Sequence, residues 1–185
     1  MEFSRQQNFN RKAIFLDRDG VINRKLPEDH YVRRPSEFQL LPDVLPALRI
    51  FRRLGFVVVI VTNQRGIARG IMTEDDLETV HHFMNALFKD AGLTIDGIYY
   101  CPHDKKDFCN CRKPAPGMML AAAKDLNIDL GLSFMVGDST SDIEAAKNAG
   151  VRSVMISPYL ADCGADLVFQ SLFHFAKFLQ AKQFV

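Results

Sequence analysis

Two aspartates, Asp17 and Asp19, follow the apolar run Ala13 to Leu16 and precede Gly20. A strand carries its i and i+2 side chains on one face, and a glycine lets the chain turn sharply beyond them. Carboxylates held that close repel each other unless a cation neutralises them. A hard divalent ion with oxygen ligands, such as Mg²⁺, is the natural solution. Thr62 follows a second apolar run and offers a hydroxyl donor, and Lys113 offers a point charge. Asp138 and Asp142 follow a third run and complete a set of cation ligands. A nucleophilic carboxylate, a proton-handling carboxylate, Mg²⁺, a hydroxyl and a lysine together suit phosphoryl transfer. Singly, each has a plainer reading: Asp-x-Asp as a turn, Thr-Asn as a helix cap, Arg-Lys as a solvated surface. Their joint occurrence, each at a strand end or in a loop, points to a site.

Three of the four cysteines crowd into one segment, as Cys101, Cys109 and Cys111, with His103 among them. Three thiolates and an imidazole form a borderline-soft set that suits tetrahedral Zn²⁺. Four protein ligands fill that shell, so the metal is expected to be structural, a staple for the loop 101–111. The plainer alternative is a group of reduced thiols beside an incidental histidine. The spacing differs from that of a zinc finger. Cys163, alone near the C-terminus, reads as a small semi-buried residue. Arg112 and Lys113 follow the last ligand directly. With Lys113 serving the reacting phosphoryl group, Arg112 is free for a second phosphate, which its planar fork suits.

The elements that must position these groups alternate short apolar runs with amphipathic stretches, the pattern of an α/β protein with a doubly wound, mostly parallel sheet. Strands are expected at 13–16, 56–61, 95–100, 132–136 and 151–156. Helices are expected at 42–54, 73–91, 116–126 and 142–149, with a last strand–helix pair within 166–180. Phe56 to Val61 is apolar at every position, as in a parallel strand covered on both faces. Thr73 reads as a helix N-cap with Glu74, Asp75 and Asp76 in the first turn. His81 and His82 are adjacent on that helix and so face different ways. Phe169, Phe173, Phe175 and Phe178 read as packing residues. Ligands of such sheets sit beyond the carboxyl ends of the strands, where the polar clusters fall.

At 185 residues the chain reads as a single domain, long enough to bury roughly 70% of its unfolded surface. A hydrophobic content of 48% excludes a disordered chain. A formal net charge of +1 lacks the basic excess of a dedicated nucleic-acid binder. No apolar run is long enough to span a bilayer, and the N-terminus carries no signal-like stretch. A cytoplasmic enzyme acting on a small molecule, with no nucleic-acid or membrane partner, is the expectation, and a monomer rather than an oligomer.

The quoted motifs resemble those of the haloacid dehalogenase superfamily of phosphatases. Phe15-Leu16-Asp17-Arg18-Asp19-Gly20-Val21 is similar to its first motif and Val61-Thr62-Asn63 to its second. Lys113 matches the third, and Gly137-Asp138-Ser139-Thr140-Ser141-Asp142 the fourth. The resemblance, over about 13–156, implies a Rossmann-like core. It implies that Asp17 attacks phosphorus and becomes an aspartyl-phosphate, while Asp19 protonates the leaving alkoxide and then deprotonates water. It implies Mg²⁺ held by Asp17, the Asp19 carbonyl and Asp138, with a backbone carbonyl from Ser139 and with Asp142 behind. Thr62, the Asn63 amide and Lys113 would hold the phosphoryl oxygens. The stretches between Asp19 and Thr62 and between Thr62 and Lys113 are too short for a separate cap domain, so loops must close the site.

Within the superfamily the stretches AIFLDRDG, HYV, VTNQRGIARG, DGIYYCPH, CNCRKPAPGM and MVGD are most similar to the family that removes the C7 phosphate of heptose 1,7-bisphosphate, a sugar substrate. That likeness implies substrate contacts from Asp29, His30, Tyr31, Asn63, Gln64, Arg112 and Lys113. Arg65 stands where that family commonly has a serine, and Ser139 where it commonly has a basic residue. The His-x5-Cys spacing of the cysteine loop is also similar to that of histidinol-phosphate phosphatases. A phospho-accepting signalling receiver domain would share the Asp, Thr and Lys, but not the second aspartate or the cysteine loop.

Overall fold

The computed structural model describes residues 10–159 and 164–182. Its centre is a pair of short strands, β1 (Ala13–Leu16) and β2 (Val57–Asn63), whose residues are buried on both faces as far as Thr62. Alternation divides them. Ile14, Leu16, Val58 and Ile60 enter one core, and Ala13, Phe15, Val57, Val59 and Val61 enter another. The first core is covered by α1 (Val44–Arg53), α2 (Glu74–Asp90) and α5 (Leu172–Ala181), the second by α3 (Gly117–Leu126) and α4 (Thr140–Ala149). Helices on both faces of a parallel sheet are the expected doubly wound arrangement.

The remaining strands are β3 (Gly97–Cys101), β4 (Phe134–Gly137), β5 (Arg152–Ile156) and β6 (Leu167–Phe169). All pairings are parallel, in the order β3-β2-β1-β4-β5-β6. The chain winds outward through β2 and β3, then returns to the middle and winds the other way through β4, β5 and β6. The reversal falls between β1 and β4, and the crevice at such a switch point is where ligands bind in open α/β sheets. Asp17 leaves β1 and Asp138 leaves β4, so the topology places both at that crevice.

Local chemistry sets the element ends. Thr73 caps α2 as expected, its hydroxyl accepting from the Asp76 N–H while the Asp76 carboxylate accepts from the Thr73 N–H. Helix α4 starts at Thr140, earlier than its apolar pattern suggested, because Ser139 and Asp142 form a capping box. Strand β2 runs on to Asn63 and β3 to Cys101 through a continuous ladder, so Thr62, Asn63 and the first cysteine ligand sit in the sheet itself.

The four phenylalanines join the first core. Phe175 is fully buried, with ring centroids of Phe134, Phe169 and Phe51 at 5.4, 5.5 and 5.8 Å. A phenylalanine buried in this way contributes about 1.5–3 kcal/mol. Its neighbours thereby tie α5 to α1 and the sheet. Cys163 lies outside the described residues.

Candidate active site

Lys113 is the hub of the crevice. The residue is 4% exposed, and its ammonium donates to the Val61 carbonyl at 2.9 Å and forms ion pairs with the Asp17 carboxylate at 2.8 Å and the Asp142 carboxylate at 2.6 Å. Those three acceptors come from β2, the end of β1 and the first turn of α4. The lysine's peptide is clasped in turn by Asn63, whose side-chain oxygen accepts from the Lys113 N–H at 3.0 Å and whose amide donates to the Lys113 carbonyl at 3.1 Å. Asn63 lies at the end of β2, so the sheet fixes the loop that carries the lysine. Burial pushes the Asp17 carboxyl up, to about 7, with Asp142 and Asp19 adding to the rise and Lys113 opposing it. Asp17 and Asp142 in turn raise Lys113 against its own burial, so it stays an ammonium.

Asp17, Asp138 and Asp142 place one carboxylate oxygen each within 4.8 Å of one another. Two observations test this set against a divalent cation. Asp138 Oδ1 is buried with no hydrogen-bond partner, and Asp138 Oδ2 is met by the ammonium of Lys25 at 2.6 Å, a positive charge already drawn to the place. Gly20, at φ 101°, keeps the approach open: a Cβ there would lie 2.2 Å from Asp138 Oδ2. All-oxygen, anionic donors are what Mg²⁺ requires. Asp142 has less to offer, since Oδ1 holds Lys113 and Oδ2 accepts from the Ser139 N–H and hydroxyl. It orients the lysine from behind. The Ser139 carbonyl accepts from the Asp142 N–H at 3.1 Å as the first turn of α4 forms.

Asp19 is held by a different set. Arg18 Nη2 donates to both of its oxygens at 2.9 and 2.8 Å, Asn23 to one at 2.9 Å and Gln64 to the other at 3.0 Å. Burial alone would raise this carboxyl, but the Arg18 charge and these donors win and hold it below the usual range. Gln64 also donates to Thr62 Oγ1 at 2.9 Å, which leaves the threonine's own proton free to donate. Gln64 was expected to touch substrate. It is 1% exposed, its amide nitrogen donating to Asp19 and Thr62 and its Oε1 buried without a hydrogen-bond partner, so it also braces those residues.

A cleft of about 250 Å³ opens beside Asp19. Asp29, His30, Tyr31, Asn63 and Arg112 line it, and so do Lys25, Arg65 and Lys105. Asp29, at φ 62°, accepts from Arg65 at 2.8 Å and from Arg69, while Arg65 also reaches the Tyr31 hydroxyl at 3.3 Å. Arg69 continues to Asp104 at 3.4 Å, so ion pairs join the loop of Asp29 to the cysteine loop. His30 is exposed and bonds the Glu28 carbonyl at 3.0 Å. Arg112 donates to the His103 carbonyl at 3.1 Å and borders a second hollow that also touches Lys113.

Cys101, His103, Cys109 and Cys111 converge. Their sulfurs lie 3.0, 3.5 and 3.6 Å apart, and His103 Nδ1 is 3.2 Å from Cys111 and 3.6 Å from Cys101. Tetrahedral zinc with bonds near 2.3 Å would space its sulfurs by about 3.8 Å, so these donors fit with small outward shifts. The Arg112 and Cys111 amides draw the Cys109 thiol down to about 7 against its burial, towards the thiolate a metal binds.

Spacing alone missed Arg18, Asn23 and Lys25. The one available signal was Arg18 itself, a cation written between two carboxylates.

A carboxylate set for a divalent cation, a buried lysine and a free hydroxyl at the switch point of a parallel sheet define a phosphoryl-transfer hydrolase. The model of the haloacid dehalogenase-like hydrolases matches residues 6–150, and the chain belongs to that family. It is 40% identical over 184 residues to D-glycero-beta-D-manno-heptose-1,7-bisphosphate 7-phosphatase of Yersinia pestis, covering 92% of this chain and 96% of that protein. The enzyme of the same name from Vibrio cholerae is 46% identical, over 78% of this chain and 80% of its own. Among solved structures, the D,D-heptose 1,7-bisphosphate phosphatase of B. bronchiseptica, complexed with magnesium and phosphate, superposes with a TM-score of 0.83 at 34% identity. That match covers 92% of this chain and 99% of the other. Among the described residues no helix is long and apolar enough to cross a membrane.

Proposed function

We propose that this enzyme removes the C7 phosphate of D-glycero-D-manno-heptose 1,7-bisphosphate and leaves the sugar 1-phosphate. The observation that carries the chemistry is the Lys113 ammonium shared between Asp17 and Asp142 at the crevice. Asp17 attacks phosphorus in line as the bond from phosphorus to the C7 oxygen breaks, and Asp19, ionised in the free enzyme, takes up a proton from the bound phosphate monoanion and delivers it to that oxygen. Water then attacks the phosphorus of the aspartyl-phosphate, Asp19 takes the water's proton, and Asp17 leaves as a carboxylate. Thr62, the Asn63 amide and Lys113 hold the phosphoryl oxygens. Asp17, Asp138 and the Asp19 carbonyl would hold Mg²⁺, with the Ser139 carbonyl beside them, and the ion would supply charge neutralisation at the phosphoryl group. The sugar assignment draws its support from relatives of that name aligned along most of their length.

The cleft beside Asp19 gathers Lys25, Arg65, Lys105 and Arg112, a cationic rim suited to a second phosphate. Asp29, His30 and Tyr31, which line the same cleft, would meet the sugar between. The test is Mg²⁺-dependent phosphate release from both anomers of the heptose bisphosphate and from histidinol phosphate. A kcat/KM at least about a hundredfold higher for one heptose anomer is expected, the β anomer in line with the relatives. Faster hydrolysis of histidinol phosphate would overturn the sugar and keep the chemistry. Arg112→Ala should raise KM about tenfold or more for the bisphosphate and little for a monophosphate, since a charge-assisted pair is lost only with the former.

The loop 101–111 is proposed to carry structural Zn²⁺ on Cys101, His103, Cys109 and Cys111 within a single, uncapped, monomeric cytoplasmic domain. Protein purified without chelator should contain about one zinc per chain, and Cys109→Ser should lose it together with thermal stability. A metal-free protein with the same melting temperature and activity would remove the staple.

A further inference from the structure

Arg18 is the largest fully buried side chain among the described residues, and burying a guanidinium is expensive unless it is paired and hydrogen-bonded. Both of its terminal nitrogens have a partner. Nη2 forks onto the two oxygens of Asp19 at 2.8 and 2.9 Å. Nη1 meets Nε2 of His81 at 3.3 Å. His81 is 7% exposed on the inner face of α2, with the ring of Tyr100 edge-on at 6.2 Å.

An arginine is only a donor, so His81 Nε2 must present its lone pair, which makes the ring neutral with its proton on Nδ1. Burial and the Arg18 charge together push His81 down to about 4, in agreement with that tautomer. A neutral acceptor satisfies Nη1 without cancelling the charge. Among the described residues Asp19 is then the only carboxylate in an ion pair with Arg18. A carboxylate in the place of His81 would compete for the guanidinium.

We propose that Arg18, seated on His81, is the positioning residue that aims Asp19 at the leaving group, so that α2 reaches the chemistry through a histidine that never touches substrate. This rests on the proposed role of Asp19 as proton donor. Asn23 and Gln64 each hold one oxygen of Asp19, and only Arg18 spans both and fixes the plane of the carboxyl.

The experiment compares kcat/KM for the sugar bisphosphate with that for p-nitrophenyl phosphate. This ratio reports the steps through phosphoryl transfer, and the aryl alcohol departs as an anion that needs no proton. His81→Leu should lower kcat/KM for the sugar substrate at least about tenfold through kcat, with KM unchanged, and for the aryl phosphate less than about threefold. His81→Gln, whose amide oxygen can accept from Nη1, should recover most of the loss, and Arg18→Lys, whose single nitrogen cannot hold Asp19 and His81 at once, should behave like His81→Leu. Equal losses on both substrates, no loss on either, or a Gln variant no better than Leu would overturn the inference. Should His81→Leu fail to fold, the Gln and Lys variants decide by the same substrate ratio. Asp19→Asn separates the two readings. If it shows no selective loss on the sugar phosphate, the role of Asp19 is wrong. If it does and the Arg18 and His81 variants do not, only the positioning inference falls.

Discussion

Asp17→Asn should abolish turnover and leave the fold intact. The substitution keeps the shape and an oxygen able to accept from the Arg18 N–H, which Asp17 Oδ1 does at 2.8 Å. It removes the anionic oxygen that would attack phosphorus, and the neighbouring carboxylates have other tasks, Asp138 beside Lys25 as a proposed Mg²⁺ ligand. Asp19 is bound by three side chains, and Asp142 is committed to Lys113 and Ser139. Covalent catalysis spread over two steps accounts for several orders of magnitude, so phosphate release should fall about 10⁴-fold, or about 5 kcal/mol of barrier. Stability should change little or rise, because the native site buries Asp17 at a cost that drives its carboxyl to about 7. Residual release above about 1% of wild type would defeat Asp17 as nucleophile.

The groups proposed to meet phosphate were legible because each ends an apolar run, and a fully apolar run in this pattern means a parallel strand. That held for Asp17 after β1, Thr62 in β2 and Asp138 after β4. The cysteine cluster was legible from ligand type and crowding. The supports were not. Arg18 reads, by strand alternation, as a residue facing away from its two aspartates, and nothing local says that its far side is closed by His81 from α2. Asn63 reads as a substrate contact and lines the cleft, and spacing does not show that its side chain also clasps the Lys113 peptide across fifty positions of sequence. Gln64 follows two residues that face the crevice, and only its burial reveals a strut. Lys25 meets Asp138 from a loop with no periodicity. Chemistry that belongs to one residue can be read from spacing, whereas chemistry that belongs to a pair needs the fold.

Lys113→Met should damage stability and catalysis together, and the two losses share one cause. The lysine is the cation between two buried carboxylates, at 2.8 Å from Asp17 and 2.6 Å from Asp142. Methionine fills the volume but leaves those charges unpaired, a situation that costs about 3–5 kcal/mol. For a chain of this size that is a fall in Tm of about 6–20 °C. The deficit has a sign in pH. Asp17 already sits above its unfolded pKa of 3.8, at about 7, through burial first, and Lys113 is what restrains it. A carboxyl raised on folding favours the fold while protonated and loses that contribution as pH rises through its folded value. Without the lysine the rise is larger, so the Tm gap between wild type and variant should widen from pH 5 to pH 8 in buffer without added Mg²⁺. Adding Asp142→Asn should recover part of the loss, because neighbours that share one charge are not additive. Activity should fall about 10³-fold and stay low in that double variant, since the ammonium proposed to face the phosphoryl oxygens is not restored. A variant with wild-type Tm, or with kcat within tenfold of wild type, would take Lys113 out of the centre of the site.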